Sequence, residues 1–205
     1  MELISMSFFI NLVVLQIFMK KLYLIHGWGG GPSSEGWFGG LIKECKKRNI
    51  QIEIPRMPNT DTPIIKEWVG HLEKICKVDE ETYFIGHSIG CQTIMRFLEK
   101  LPEDKKVAGV GFVAGWFNLR EETYEEDGEE ARAIAKPWIE TPINFDKVKS
   151  HTKNILAIFS DDDPCVPIAD ERLFKERLGA KTIIKHGEEH FNTTKEIPEL
   201  LEILN

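Results

Sequence analysis

No stretch of this chain reaches the ~20 consecutive apolar residues that a membrane-spanning helix needs. The most apolar segment, Ser7 to Met19, is shorter and carries Asn11 and Gln16. A secretory leader is disfavoured as well, because the segment begins with an acidic residue and has no small-residue cleavage site. Basic clusters are missing too: 26 Lys and Arg against 33 Asp and Glu leave a formal net charge of −7. Nucleic acid and membrane surfaces are therefore not expected as partners. Cysteine is sparse, with Cys45, Cys76, Cys91 and Cys165 widely scattered and no C-x-x-C pair. That excludes a disulfide framework and a thiolate zinc site, and it fits reduced thiols in a cytoplasmic protein. Cys91, although close to Ser88, is read as a small apolar residue packing a helix. No internal repeat, G-x-G-x-x-G turn or Walker Lys-Ser pair is found, so no nucleotide cofactor and no metal are implied.

What is present is a soluble composition, 42% apolar and 29% charged over 205 residues, enough for one domain with one sizeable core. Residues 1–19 are expected to be an apolar extension outside the native fold, and residues 20–205 a single catalytic domain. Lys21 to Ile25 is an apolar run entering a Gly-rich turn, as a buried parallel strand does. Further strands are expected at 50–54, 82–85, 107–114, 155–159 and 181–185. Helical spacing is expected over 37–49, from a Thr62 cap and Pro63 through 77, over 89–101, over 168–178 and from Thr193 onward. Residues 117–145 break this rhythm. Strands alternating with helices imply an α/β fold, three layers with a six-stranded, mainly parallel sheet, whose working site lies at the carboxyl ends of the strands.

The chemistry sits in the turns after those strands. Gly86-His87-Ser88-Ile89-Gly90 is a G-x-S-x-G sequence between a strand and a helix. There a sharp turn projects a serine hydroxyl, and the helix N-terminus offers the Ile89 N–H to an oxyanion. A serine needs a base, usually a histidine held by a carboxylate. Asp161-Asp162-Asp163-Pro164 follows the fifth strand and His190 the sixth, in the chain order Ser, acid, His. One Asp suffices as the orienter, the others serving the turn. His190, on a loop, is preferred to His186 at the strand end. His26-Gly27-Trp28-Gly29-Gly30-Gly31 after the first strand is expected to bring the Trp28 N–H to the same oxyanion. His26 and His87 are expected to pack around the turn without a catalytic role.

Together I-H-G-W-G-G-G at 25–31, G-H-S-I-G at 86–90, S-D-D-D-P-C-V-P at 160–167 and E-H-F-N at 189–192 resemble the retinoblastoma-binding protein 9 family of small serine hydrolases. Pro137-Trp138 and Phe145-Asp146-Lys147-Val148 also fit its pattern. The resemblance implies Asp163, immediately before the Pro of D-P-x-x-P, as the acid, and a sheet of six parallel strands without the two antiparallel strands that open larger α/β-hydrolases. The L-x-C-x-E motif that gave the family its name is absent, so no such partner is implied. Trp28 stands where smaller polar residues are common.

The expected activity is hydrolysis of a carboxylic ester through an acyl-enzyme on Ser88. Amide or thioester substrates remain open, and the alternative is a hydrolase-shaped interaction module without turnover. Glu121, Glu122, Glu125, Glu126, Asp127, Glu129 and Glu130 crowd the segment after the fourth strand. They are expected to make the entrance negative, above an apolar substrate-binding wall of Trp116, Phe117 and Trp138.

Overall fold

The computed structural model describes residues 19–124 and 128–204, so the expected extension at 1–19 lies, but for Met19, outside the described residues. The order is β1 (Lys21–Ile25), α1 (Phe38–Lys47), β2 (Gln51–Glu53), α2 (Ile65–Ile75), β3 (Thr82–His87) and α3 (Ile89–Leu98), then β4 (Gly109–Val113), α4 (Gly128–Glu140), α5 (Phe145–His151), β5 (Ile155–Ser160), α6 (Ala169–Leu178) and β6 (Lys181–Lys185). All neighbouring strands pair in parallel, in the order β2-β1-β3-β4-β5-β6. The sheet is thus all-parallel among the described residues.

Alternation along the strands divides the core into two layers. Leu22, Leu24, Ile85, Leu156 and Ile158 face Trp37, which precedes α1, and Leu41 of α1, together with Leu200 and Ile203 near the C-terminus. Tyr23, Ile25, Phe84, Ala157 and Phe159 face Trp68 of α2, Ile94 of α3, Val148 of α5 and Phe174 of α6. The inner strands β3, β4 and β5 are buried throughout, which is why they read as apolar runs with little alternation. Strand order reverses beside β1, so a crevice opens past the carboxyl ends of β1 and β3. Among the described residues, no helix is long and apolar enough to cross a membrane.

Two expectations need correction. Thr62 does not cap α2: the residue before that helix is Ile64, in extended conformation and without a side-chain cap. The Pro63 carbonyl is held instead by the Trp138 indole N–H at 3.0 Å. The last helix expected from Thr193 is a single 3₁₀ segment, Pro198–Leu204. Thr194 is committed to the turn, its hydroxyl donating to Glu188 at 2.7 Å, and Pro198 has no N–H to extend a helix backwards. Between β4 and β5, where the sequence rhythm breaks, stand α4, with Pro137 inside it, and α5, capped by Asn144 accepting the Lys147 N–H.

Candidate active site

Ser88 occupies the tip between β3 and α3 with φ 52° and ψ −122°, a region that non-glycine residues visit at a cost of order 1–3 kcal/mol. Its neighbours explain how so tight a turn closes. A Cβ on Gly90 would lie 2.5 Å from the Ile25 carbonyl oxygen, and one on Gly86 would lie 2.7 Å from the Cys91 nitrogen. The flanking glycines therefore let α3 press directly on β1 and on the turn itself. The Ile89 N–H, first in α3, has no intrahelical acceptor.

Asp163 and His190 meet at the far end of the sheet. The Nδ1 of His190 is 2.9 Å from Asp163 Oδ2 and 3.1 Å from Oδ1. Asp163 Oδ1 also accepts the N–H groups of Cys165 (2.8 Å) and Val166 (2.9 Å), which fixes the carboxylate on its turn. Engagement of Nδ1 leaves Nε2 as the nitrogen available to the cleft.

The competing groups are spent elsewhere. Asp161 pairs with His186, whose side chain is 85% exposed against 13% for His190. Asp162 accepts from the Ser160 hydroxyl at 2.6 Å and the Glu189 N–H at 3.0 Å. Two of the three aspartates thus build the turns, and the third holds the less exposed histidine.

Ser88, His190, Trp28, Trp116, Thr123 and Cys165 line one cleft of about 450 Å³. Ser88 Oγ accepts a hydrogen bond from the Trp116 indole at 3.3 Å. Among the described residues it makes none to His190; nucleophile–base contacts are often long until substrate is in place. Of the three expected wall residues, only Trp116 lies here. Phe117 stacks on Phe174 and lines a different cavity together with Trp138. The indole of Trp138 is turned to Pro63 and packs edge-on against Trp68.

The Gly-rich turn after β1 is pinned on either side of Trp28: the Gly27 N–H donates to Glu35 Oε1 (2.9 Å), the Gly29 N–H to Thr60 O (2.8 Å) and the Gly30 N–H to Gly27 O (3.2 Å). Among the described residues, the Trp28 N–H has no acceptor.

Glu35 is the cleft residue that sequence reasoning missed. Buried beneath the cleft, its Oε1 lies 3.0 Å from His87 Nδ1, while His87 Nε2 is 2.8 Å from the backbone oxygen of His190. Both nitrogens of His87 face acceptors, so the imidazole ties the Gly-rich turn to the loop carrying His190. Burial pushes the Glu35 carboxyl up, but His87, the Ser34 hydroxyl and the Gly27 N–H together hold it below its ordinary value. A lone acid inside a glycine-rich turn was the available signal.

Ligand atoms of Asp163, Cys165 and His190 lie within 4.8 Å of one another. The thiol of Cys165 is pushed up to about 11 by burial and by Asp163, while the Asp163 carboxylate is already engaged with His190 Nδ1 and the Cys165 and Val166 N–H groups. Cys91 is buried, its thiol donating to Gly86 O and raised by desolvation.

A parallel sheet with its serine on a strained strand-to-helix turn, and an Asp-His pair after later strands, has the form of an α/β hydrolase. The serine hydrolase family profile matches residues 22–203, and the chain belongs to that family. It is similar to YdeN of Bacillus subtilis, 28% identical over 170 residues that cover 82% of this chain and 84% of that protein. It is likewise similar to serine hydrolase RBBP9 of Rattus norvegicus, 26% identical over 186 residues, 90% and 93% of the two chains. The crystal structure of the B. subtilis ydeN product superposes with a TM-score of 0.78 at 26% identity, covering 91% of this chain and 97% of that one. A structure from a study of carboxylesterases of Nitrososphaera gargenis shares the fold, with a TM-score of 0.68 at 16% identity over 91% and 88% of the two chains.

Proposed function

We propose that this serine hydrolase cleaves carboxylic esters through an acyl-enzyme formed on Ser88. His190 Nε2 takes the proton from Ser88 Oγ as Oγ attacks the ester carbonyl, and the alcohol leaves with that proton. Water, activated by the same nitrogen, then attacks the acyl-enzyme and releases the acid. Asp163 keeps Nδ1–H in place and stabilises the imidazolium. The N–H groups of Trp28 and Ile89 hold the oxyanion of each tetrahedral intermediate. No metal or cofactor takes part in these steps. An ester is the favoured bond because its alcohol or phenol leaves with less help from a general acid than an amine does.

One observation carries the reading: Ser88, held at φ 52°, shares a cleft with a histidine whose other nitrogen is bound to a buried carboxylate. Labelling with a fluorophosphonate, followed by location of the adduct, tests it. The adduct is expected on Ser88, and Ser88→Ala is expected to lose both labelling and turnover of an aryl ester. Undiminished hydrolysis by pure Ser88→Ala would refute the assignment and favour a hydrolase-shaped interaction module.

A further inference from the structure

The cavity that takes Phe117 and Trp138 is unlike the others in charge. It encloses about 300 Å³ among α3, the end of α4, the segment entering α5, and α6, and its lining includes Arg96 and Arg177 but no Asp or Glu. In a chain of net charge −7, two guanidinium groups without an acid between them need an explanation.

Arg96 is 2% exposed. Part of it has a structural use: Nη2 donates to Trp138 O and Thr141 O, both at 2.8 Å, and caps the end of α4. Nη1 is under-used, its sole acceptor being Pro142 O at 3.5 Å, the long limit of a hydrogen bond. The acid that acts on its charge is Glu99, and Glu99 is itself occupied by the Asn144 N–H at 2.7 Å. Arg177 has, among the described residues, no hydrogen-bond or ion-pair partner. Its guanidinium lies over the rings of Phe117 (5.0 Å) and Phe145 (5.4 Å). Ring contacts fix the plane of the fork and leave its N–H groups free for a bidentate acceptor.

The geometry points to a binding site here for a small organic carboxylate, its charge between Arg96 and Arg177 and its apolar body against the Phe117 and Phe145 rings. The site is separate from the Ser88 cleft but joined to it by contiguous hydrogen bonds. Arg96 Nε donates to Gln92 Oε1 at 3.3 Å, Gln92 Nε2 donates to Trp116 O at 3.1 Å, and the indole Nε1 of the same Trp116 donates to Ser88 Oγ at 3.3 Å. A carboxylate drawing on Arg96 therefore acts at the nucleophile as well, a coupling that rests on Ser88 being the reacting group.

Calorimetric titration with benzoate decides whether the site exists. The wild-type chain is expected to bind benzoate saturably in the millimolar range or tighter. Arg177→Gln, a change at the surface, is expected to weaken binding roughly tenfold or more, whereas Ser88→Ala keeps it. Absence of saturation, or equal binding by Arg177→Gln, overturns the site. Tighter binding of inorganic phosphate overturns its assignment to an organic carboxylate. For the coupling, saturating benzoate is expected to change turnover of a neutral aryl ester by wild type and leave Arg177→Gln unaffected. Equal competitive inhibition of both places benzoate in the Ser88 cleft and refutes the proposal. Binding without any change in turnover refutes the coupling. Failure of the Ser88 reading would show itself separately, as turnover by Ser88→Ala.

Discussion

Adding one methyl group at Gly90 tests whether the pressing of α3 onto β1 holds Ser88 in place. The new Cβ would lie 2.5 Å from Ile25 O, 2.8 Å from His26 O and 3.0 Å from Ile25 C. All three are backbone atoms of β1 and of the Gly-rich turn, so no side chain can swing away, and α3 must lift by roughly 1 Å to restore a normal contact. Overpacking of this kind costs about 1–3 kcal/mol, which lowers Tm by roughly 2–12 °C for a domain of this size. The same lift carries Ser88 and the Ile89 N–H away from the substrate carbonyl, and a displacement near 1 Å can cost about a hundredfold in rate. Gly39 is the control. It lies in α1 with nothing within 4 Å of its Cβ position, so Gly39→Ala is expected to stabilise by about 0.5–1 kcal/mol, the helix-propensity gain. Thermal unfolding and kcat for an aryl ester, measured on both variants, decide the matter. Gly90→Ala with unchanged Tm and kcat would refute the reasoning.

Asp163→Asn is expected to fold normally while kcat falls by about 10³–10⁴, because an amide favours the wrong tautomer and cannot stabilise the imidazolium. Asp161→Asn and Asp162→Asn are expected to be mild, and a severe loss at Asp162 would overturn the assignment of the acid. Trp116→Phe removes the indole N–H from Ser88 Oγ and keeps most of the ring; slower deacylation, seen as a burst of released phenol, is expected, since Oγ gains charge as it is expelled. Unchanged single-turnover and steady-state rates would dismiss that contact. Burial holds the His26 imidazole below its ordinary value, against an opposing hydrogen bond with Gly27. The unfolded chain therefore takes the proton first. The stability His26 confers is complete above about pH 6.5 and is lost as pH falls below it toward the folded value. A Tm flat from about pH 7.5 to 5, or a slope unaltered by His26→Asn, would contradict this.

Strands and the G-x-S-x-G turn were legible because their signals are local. Gly86-His87-Ser88-Ile89-Gly90 needs those glycines wherever it occurs, and buried strands such as Ile155–Ser160 announce themselves as apolar runs. The aspartate that pairs with His190 was less legible, because three adjacent aspartates differ only in which loop each faces. It is the meeting of β5 and β6 ends that gives Asp161 to His186 and Asp163 to His190. Glu35 was legible only as a lone acid in a glycine-rich turn: its partner His87 is 52 positions away, and no local pattern links them. Phe117 and Trp138 were assigned by nearness in sequence to the cleft, yet Phe117 is drawn aside by Phe174, and Trp138 by Trp68 and Pro63. The helix α4 was hidden by Pro137, which is tolerated within it.

The acidic segment after β4 leads to a prediction about substrate charge. Of its seven acids, Glu125, Glu126 and Asp127 lie outside the described residues. Three of the remaining four are partly neutralised: Glu121 by Arg132 at 2.8 Å, Glu122 by Arg120 at 3.2 Å, and Glu129 by Arg132 at 3.6 Å. Glu130 has no ion-pair partner among the described residues. Together with Asp61, Tyr124 and Ala131 it lines a cavity of about 410 Å³. Trp28, Gly29 and Thr123 belong to both this cavity and the Ser88 cleft, so the acids border the approach to Ser88. Two exposed carboxylates about a Debye length (~8 Å) from an entering charge, screened by water and salt, change its local concentration by about twofold. An anionic aryl ester is therefore expected to show a kcat/KM about twofold below that of a matched neutral ester at physiological salt. The gap is expected to widen at low salt and close at high salt. The double variant Asp61→Asn, Glu130→Gln is expected to narrow it without touching the neutral ester. A flat response of the anionic ester to ionic strength would put these carboxylates off the substrate's path.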